Sequence, residues 1–162
     1  MNFQTAIRSG FQNYANFKGR ASRAEYWWWT LFALIVQIVT SGQNAIGDLI
    51  SLAILLPSVA VTIRRLHDTN RRGWWFVLPI GSLGLAFIAF MAFAVSTAFS
   101  LVDPSEWDTQ NLFDGMSFIA ILIIALALIS AVVTGVANFV FTLLKSDAGE
   151  NRFGPPPPPS NF

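Results

Sequence analysis

The residues best equipped for chemistry fall in one short run: Arg64-Arg65-Leu66-His67-Asp68-Thr69-Asn70-Arg71-Arg72-Gly73-Trp74-Trp75. The run holds four arginines, the only histidine of the chain and an aspartate. A second run, Lys18-Gly19-Arg20-Ala21-Ser22-Arg23-Ala24-Glu25-Tyr26-Trp27, adds two more arginines and a glutamate. Guanidinium forks match the oxygens of phosphate and carboxylate two at a time, and tryptophan settles at the headgroup level of a bilayer. Arg20, Arg23, Arg64, Arg65, His67, Asp68, Arg71, Arg72, Trp74 and Trp75 therefore form a candidate oxyanion site. Its ligand is an anionic lipid headgroup, a phosphorylated solute or the acidic surface of a partner. The plainer alternative is topology signalling, with ion pairs among the arginines, Glu25 and Asp68.

His67 and Asp68 are adjacent, and neighbours on a helix do not face each other. No serine sits in a recognisable nucleophile motif, so no catalytic residue is assigned. There is no cysteine and only one histidine, which excludes thiol chemistry and the usual metal-ligand sets. No phosphate-binding or dinucleotide-binding glycine loop occurs, so no cofactor is expected. Ser130, Thr134 and Asn138 recur at helical spacing beside a small-residue face of Ala127, Ala131 and Gly135. That polar face could line a solute path in an oligomer, or serve only as interhelical hydrogen bonding.

The elements that carry these residues are apolar. Hydrophobic types make up 54% of the 162 residues and charged types 12%, about half the charged share of a soluble domain. Four stretches stand out, at 27–40, 46–63, 74–99 and 118–144. A span needs roughly 20 apolar residues, which the last two meet easily. The first two are short, and Pro57 should kink the second. Either both cross, or they form a re-entrant hairpin. Residues 1–25 lack a secretory signal pattern, so the chain is expected to enter the membrane through its own first helix.

All ten basic residues precede the first stretch, separate the second from the third, or follow the fourth. Four crossings put them on one side, which positive-inside makes cytoplasmic together with both chain ends. The opposite loop, 100–117, carries Asp103, Glu106, Asp108 and Asp114 and no base. The basic residues are thereby explained without nucleic acid. Phe3, Ile7, Phe11 and Tyr14 recur at helical spacing and predict an amphipathic helix on the cytoplasmic surface. Pro155 to Pro159 predict a stiff polyproline stub.

Three motifs carry a family resemblance. Gly-Arg-Ala-Ser-Arg-Ala-Glu-Tyr-Trp (19–27), Arg-Arg-Leu-His-Asp-Thr with Gly-Trp-Trp (64–75), and Gly-Glu-Asn-Arg-Phe-Gly-Pro (149–155) together resemble the bacterial domain of unknown function family 805. These are small inner-membrane proteins. Arg72 departs from the pattern, which has a small residue before Gly-Trp-Trp. The resemblance implies an inner-membrane location and no assigned activity.

The expected architecture is all-α: a polytopic bundle of four transmembrane helices with an N-terminal interfacial helix. Residues 1–154 form a single membrane domain, and 155–162 a Pro-rich tail. The expected role is a membrane interaction module binding anionic lipid or an acidic partner. An oligomeric transporter is the first alternative and a lipid-modifying enzyme the second.

Overall fold

The computed structural model describes residues 1–42, 44–102 and 110–157, the side chains of residues 44, 99–102 and 110–117 excepted. Asp103, Glu106 and Asp108, the side chain of Asp114, and Pro158 and Pro159 lie outside the described residues. The described residues form α1 (Phe3–Gln12), α2 (Arg23–Thr40), α3 (Asn44–Asp68), α4 (Val77–Val102) and α5 (Gln110–Leu143), with a 3-10 turn at Gly73–Phe76. Among the described residues, three helical segments are long and apolar enough to cross a membrane: Ala45–Asp68, Gly73–Ala98 and Phe118–Leu143. The first of the four expected spans, in α2, is not among them. That helix holds Arg23, Glu25 and Gln37, and much of its bulk is tryptophan and tyrosine, which count little as apolar.

The chain divides into two compact units, residues 1–76 with 138–162, and residues 77–137. In the first unit α2 and α3 form an antiparallel pair. Ala21 N–H donates to the Arg64 carbonyl at 3.0 Å, and one helical stage further on Trp29 Nε1 donates to Ser58 Oγ at 3.0 Å. Trp29, Ile54 and Val61 form the buried core, flanked by Tyr26, Phe32, Ala33, Val36 and Ile50.

α1 begins with a capping box between Asn2 and Thr5, which satisfies two N–H groups that a helix start leaves unpaired. Its aromatic face packs inward. Phe3 meets Trp28 and Phe11 meets Trp29 edge to face. The crossing is close enough to require a glycine: a Cβ on Gly10 would fall 2.1 Å from the Trp29 ring. The face expected to meet the membrane surface is thus partly spent on α2, although Phe3 and Phe11 keep exposed area.

α3 runs through Pro57. Proline has no N–H, so the carbonyl four residues earlier loses its helical donor. That carbonyl belongs to Ala53, and the Tyr14 hydroxyl donates to it at 2.5 Å. α3 extends beyond the expected end at Ile63 to Asp68, because the charged residues 64–68 are buried and paired rather than solvated. It then stops in a Schellman arrangement. Arg71 N–H bonds the Leu66 carbonyl and Asn70 N–H bonds the His67 carbonyl, with Asn70 at φ 55°.

The second unit holds most of α4 and α5. Its buried positions are small, among them Ala86, Ala89, Ala120 and Ala127, while Phe87, Ile88, Ile129 and Val132 are exposed. Small residues at the helix contact and large ones outside suit a chain whose solvent is lipid.

Candidate functional site

Three segments distant in sequence meet where α2 begins and α3 ends. Arg20 Nε donates to Asp68 Oδ1 at 2.9 Å, and Arg65 Nη1 donates to Asp68 Oδ2. Both guanidiniums then turn to the segment after α5. Arg20 Nη2 reaches the Asp147 carbonyl at 2.6 Å, and Arg20 Nη1 reaches the Gly149 carbonyl at 2.7 Å. Arg65 Nε reaches the Thr142 carbonyl at 3.2 Å, and Arg65 Nη2 the Leu144 carbonyl. Asp147 N–H returns a bond to the Asp68 carbonyl at 3.2 Å. Asp68 and Arg65 are 0% exposed. Charges buried this far are tolerable only with pairing and hydrogen bonds on every side, which the C-terminal carbonyls supply.

Arg64 points to a different group. Its Nη1 donates to Glu25 Oε1 at 2.9 Å, and Ser9 Oγ of α1 donates to the same oxygen at 2.9 Å. Ser22 caps α2 by accepting from Glu25 N–H at 3.2 Å. Ser22-Arg-Ala-Glu25 has the spacing of a capping box, yet the Glu25 carboxylate is drawn to Arg64 and Ser9 instead.

His67 and Asp68 diverge, as neighbours on a helix must. The His67 ring stacks on Phe153, with centroids 3.8 Å apart and 4° between planes, and its Nδ1 lies 3.2 Å from the Gly19 carbonyl. Asn151 Nδ2 donates to the His67 carbonyl at 3.0 Å. Arg152 donates to the Asn70 carbonyl at 2.6 Å. Arg20, Arg64, Arg65, His67 and Asp68 are therefore gathered in one buried region.

The remaining site residues stay outside it. Arg23, Arg71 and Arg72 are exposed. Arg71 lies over the Phe141 ring at 4.6 Å. Trp74 is 52% exposed, whereas Trp75 is half-buried and edge-on to Phe141. Of the polar set on α5, Ser130 Oγ lies 3.0 Å from Ser82 Oγ, Thr134 Oγ1 donates to the Ser130 carbonyl at 2.6 Å, and Asn138 Nδ2 donates to the Trp75 carbonyl at 2.8 Å. No cluster of three or more metal-ligating side chains occurs among the described residues.

Reasoning from the residues missed Ser9, Thr142, Asn151 and Phe153. Of these, only Asn151 and Phe153 carried a signal, since both lie in the Gly149–Pro155 motif. Thr142, Leu144, Asp147 and Gly149 act through their carbonyls, which side-chain type does not report.

Residues 14–155 match the family described as "Protein of unknown function (DUF805)". The inner membrane protein YhaI of Escherichia coli (strain K12) is 44% identical over 78 residues, 43% of this chain and 66% of that protein. The inner membrane protein YhaH of the same organism is 35% identical over 79 residues, 41% of this chain and 65% of that protein. The chain thus covers just under two thirds of the length of each. YiiR, also from Escherichia coli (strain K12), is 31% identical over 148 residues, 86% of this chain and 84% of that protein. No solved structure matches. A family match over most of the sequence, with all three motifs meeting in one buried region, fixes the relationship: the chain belongs to the DUF805 family of proteins of unknown function.

Proposed function

We propose that this protein is a bacterial inner-membrane binding module that crosses four times, keeps both ends in the cytoplasm and holds anionic lipid headgroups on its cytoplasmic face. The observation that carries the reading is the division of the arginines. Arg20, Arg64 and Arg65 are buried, whereas Arg23, Arg71 and Arg72 stay exposed, and Arg71 and Arg72 lie close to Trp74 in sequence. Exposed arginines beside an interfacial tryptophan are the equipment for a phosphate surface. The buried pairs supply a rigid platform beneath them. Inner-membrane location is supported by YhaI and YhaH, which are named inner membrane proteins. Four crossings are supported by the antiparallel pairing of α2 with α3, since two helices paired along their length share one depth. Orientation follows the basic residues.

Native mass spectrometry of protein released from mild detergent tests the reading. Each arginine near an anionic surface is worth about 1 kcal/mol. The triple change Arg23→Ala, Arg71→Ala, Arg72→Ala is expected to lower retained phosphatidylglycerol by about a hundredfold, which is what about 3 kcal/mol implies at 1.4 kcal/mol per decade. Equal retention by wild type and variant removes this reading.

A further inference from the structure

The three buried arginines are not equally satisfied. A guanidinium binds an oxyanion best through its Nε–Nη2 edge, where two N–H bonds point in parallel. In Arg20 that edge is spent on Asp68 and the Asp147 carbonyl. In Arg65 it is spent on the carbonyls of Thr142 and Leu144. In Arg64 only Nη1 is engaged, on Glu25. Nε and Nη2 of Arg64 are both buried and have no hydrogen-bond acceptor among the described residues. The side chain is 5% exposed, so bulk water does not replace the missing partner, and unpaired buried donors of a charged group are among the costliest defects a fold can carry.

The charge count points the same way. The buried region contains three guanidinium cations, Arg20, Arg64 and Arg65, against two carboxylates, Glu25 and Asp68. Asp68 is shared between two arginines, and the carbonyls that complete their shells carry no formal charge. One positive charge is uncompensated, and an intact bidentate edge is turned inward on the arginine nearest α1.

We propose that the Nε–Nη2 edge of Arg64 is a specific site for one phosphate group, either the phosphate of a lipid headgroup or free inorganic phosphate. The site is separate from the exposed collar of Arg23, Arg71 and Arg72. A single oxyanion supplies both acceptors that the edge lacks and neutralises the surplus charge. Both nitrogens are closed from bulk, so uptake displaces neighbouring side chains, and the specificity is for a group small enough to be enclosed. Glu25 sets the affinity from the far side of the guanidinium, by holding Nη1 and by repelling the anion.

The test is isothermal titration of the full chain, stripped of lipid in a neutral detergent, with inorganic phosphate and with dihexanoyl-phosphatidylglycerol as separate probes. Binding of at least one probe is expected at a stoichiometry of one, and the probe that binds identifies the source. Arg64→Lys keeps the charge and removes the fork, and is expected to weaken binding by at least about tenfold. Arg8→Ala removes the same formal charge from an exposed face and is expected to leave binding unchanged. Should Arg64→Lys fail to fold, Glu25→Gln decides, because it keeps an acceptor for Nη1 and removes the repulsion. It is expected to tighten binding several-fold. The proposal is overturned by absence of binding with both probes, by equal affinity in Arg64→Lys, by a loss in Arg8→Ala equal to that in Arg64→Lys, or by unchanged or weaker binding in Glu25→Gln. The titrated chain carries Arg23→Ala, Arg71→Ala and Arg72→Ala throughout, so the exposed arginines take no part and failure here and failure of the surface-arginine reading are separate results.

Discussion

At the scale of single residues, Asp68 is the hinge of the buried region, because two guanidiniums divide its two oxygens. Removing its charge leaves both arginines buried against neutral acceptors only. Breaking a buried pair on one side costs about 3–5 kcal/mol, and here two partners are stranded. Asp68→Asn is therefore expected to abolish or strongly lower the thermal transition of the protein in detergent. Thr69→Ala, one residue on and half-buried, is expected to shift it little. A transition in Asp68→Asn equal to wild type would show that the carbonyls of the C-terminal segment suffice alone. The motif Arg-Arg-Leu-His-Asp thus reads as three separate assignments, Arg64 to α1 and α2, Arg65 and Asp68 to the C-terminal segment, and His67 to Phe153.

At the scale of elements, the informative contact is the one between the end of α1 and the middle of α3. Pro57 deprives the Ala53 carbonyl of its helical donor, and the Tyr14 hydroxyl takes that place. Tyr14→Phe is expected to cost about 1 kcal/mol, as the loss of one hydrogen bond to a partly enclosed carbonyl. In a Pro57→Ala background the helix regains its own N–H, and the same Tyr14→Phe change is expected to cost close to nothing. A double-mutant cycle on thermal or chemical unfolding measures the coupling. Additive effects would mean that the hydroxyl and the proline act independently. The carbonyl left without its helical donor was legible in the sequence, since a proline inside a helical stretch has no N–H to give. The donor that compensates it was not, because Tyr14 and Ala53 are separated by 39 positions.

At the scale of the whole molecule, the path of α2 has the largest consequence for the proposed topology. Its composition does not reach that of the three segments long and apolar enough to cross, and the proposed full crossing is directly testable. The chain has no cysteine, so single-cysteine variants report topology without background. Ser41→Cys is expected to label with a membrane-impermeant thiol reagent only from the outer side, and Thr69→Cys only from the cytoplasmic side. Labelling of Ser41→Cys from the cytoplasmic side would make α2 and the start of α3 a re-entrant hairpin.

The resemblance to a known family singled out three motifs, and the sequence by itself determined that the chain is helical and apolar and where its longest apolar stretches lie. Those properties follow from local composition and from the period of a helix. Only the tertiary structure decided what the motifs do. Arg20 and Arg23 are three residues apart, in one motif and of one chemical type, yet one is buried on Asp68 and the other exposed. Arg64 and Arg65 are adjacent, yet they serve different partners. Helical geometry turns successive side chains about 100° apart, so neighbours in a motif look out on different surroundings. Which surroundings those are depends on the return of a segment some eighty residues away, and on carbonyl acceptors that every residue type possesses alike.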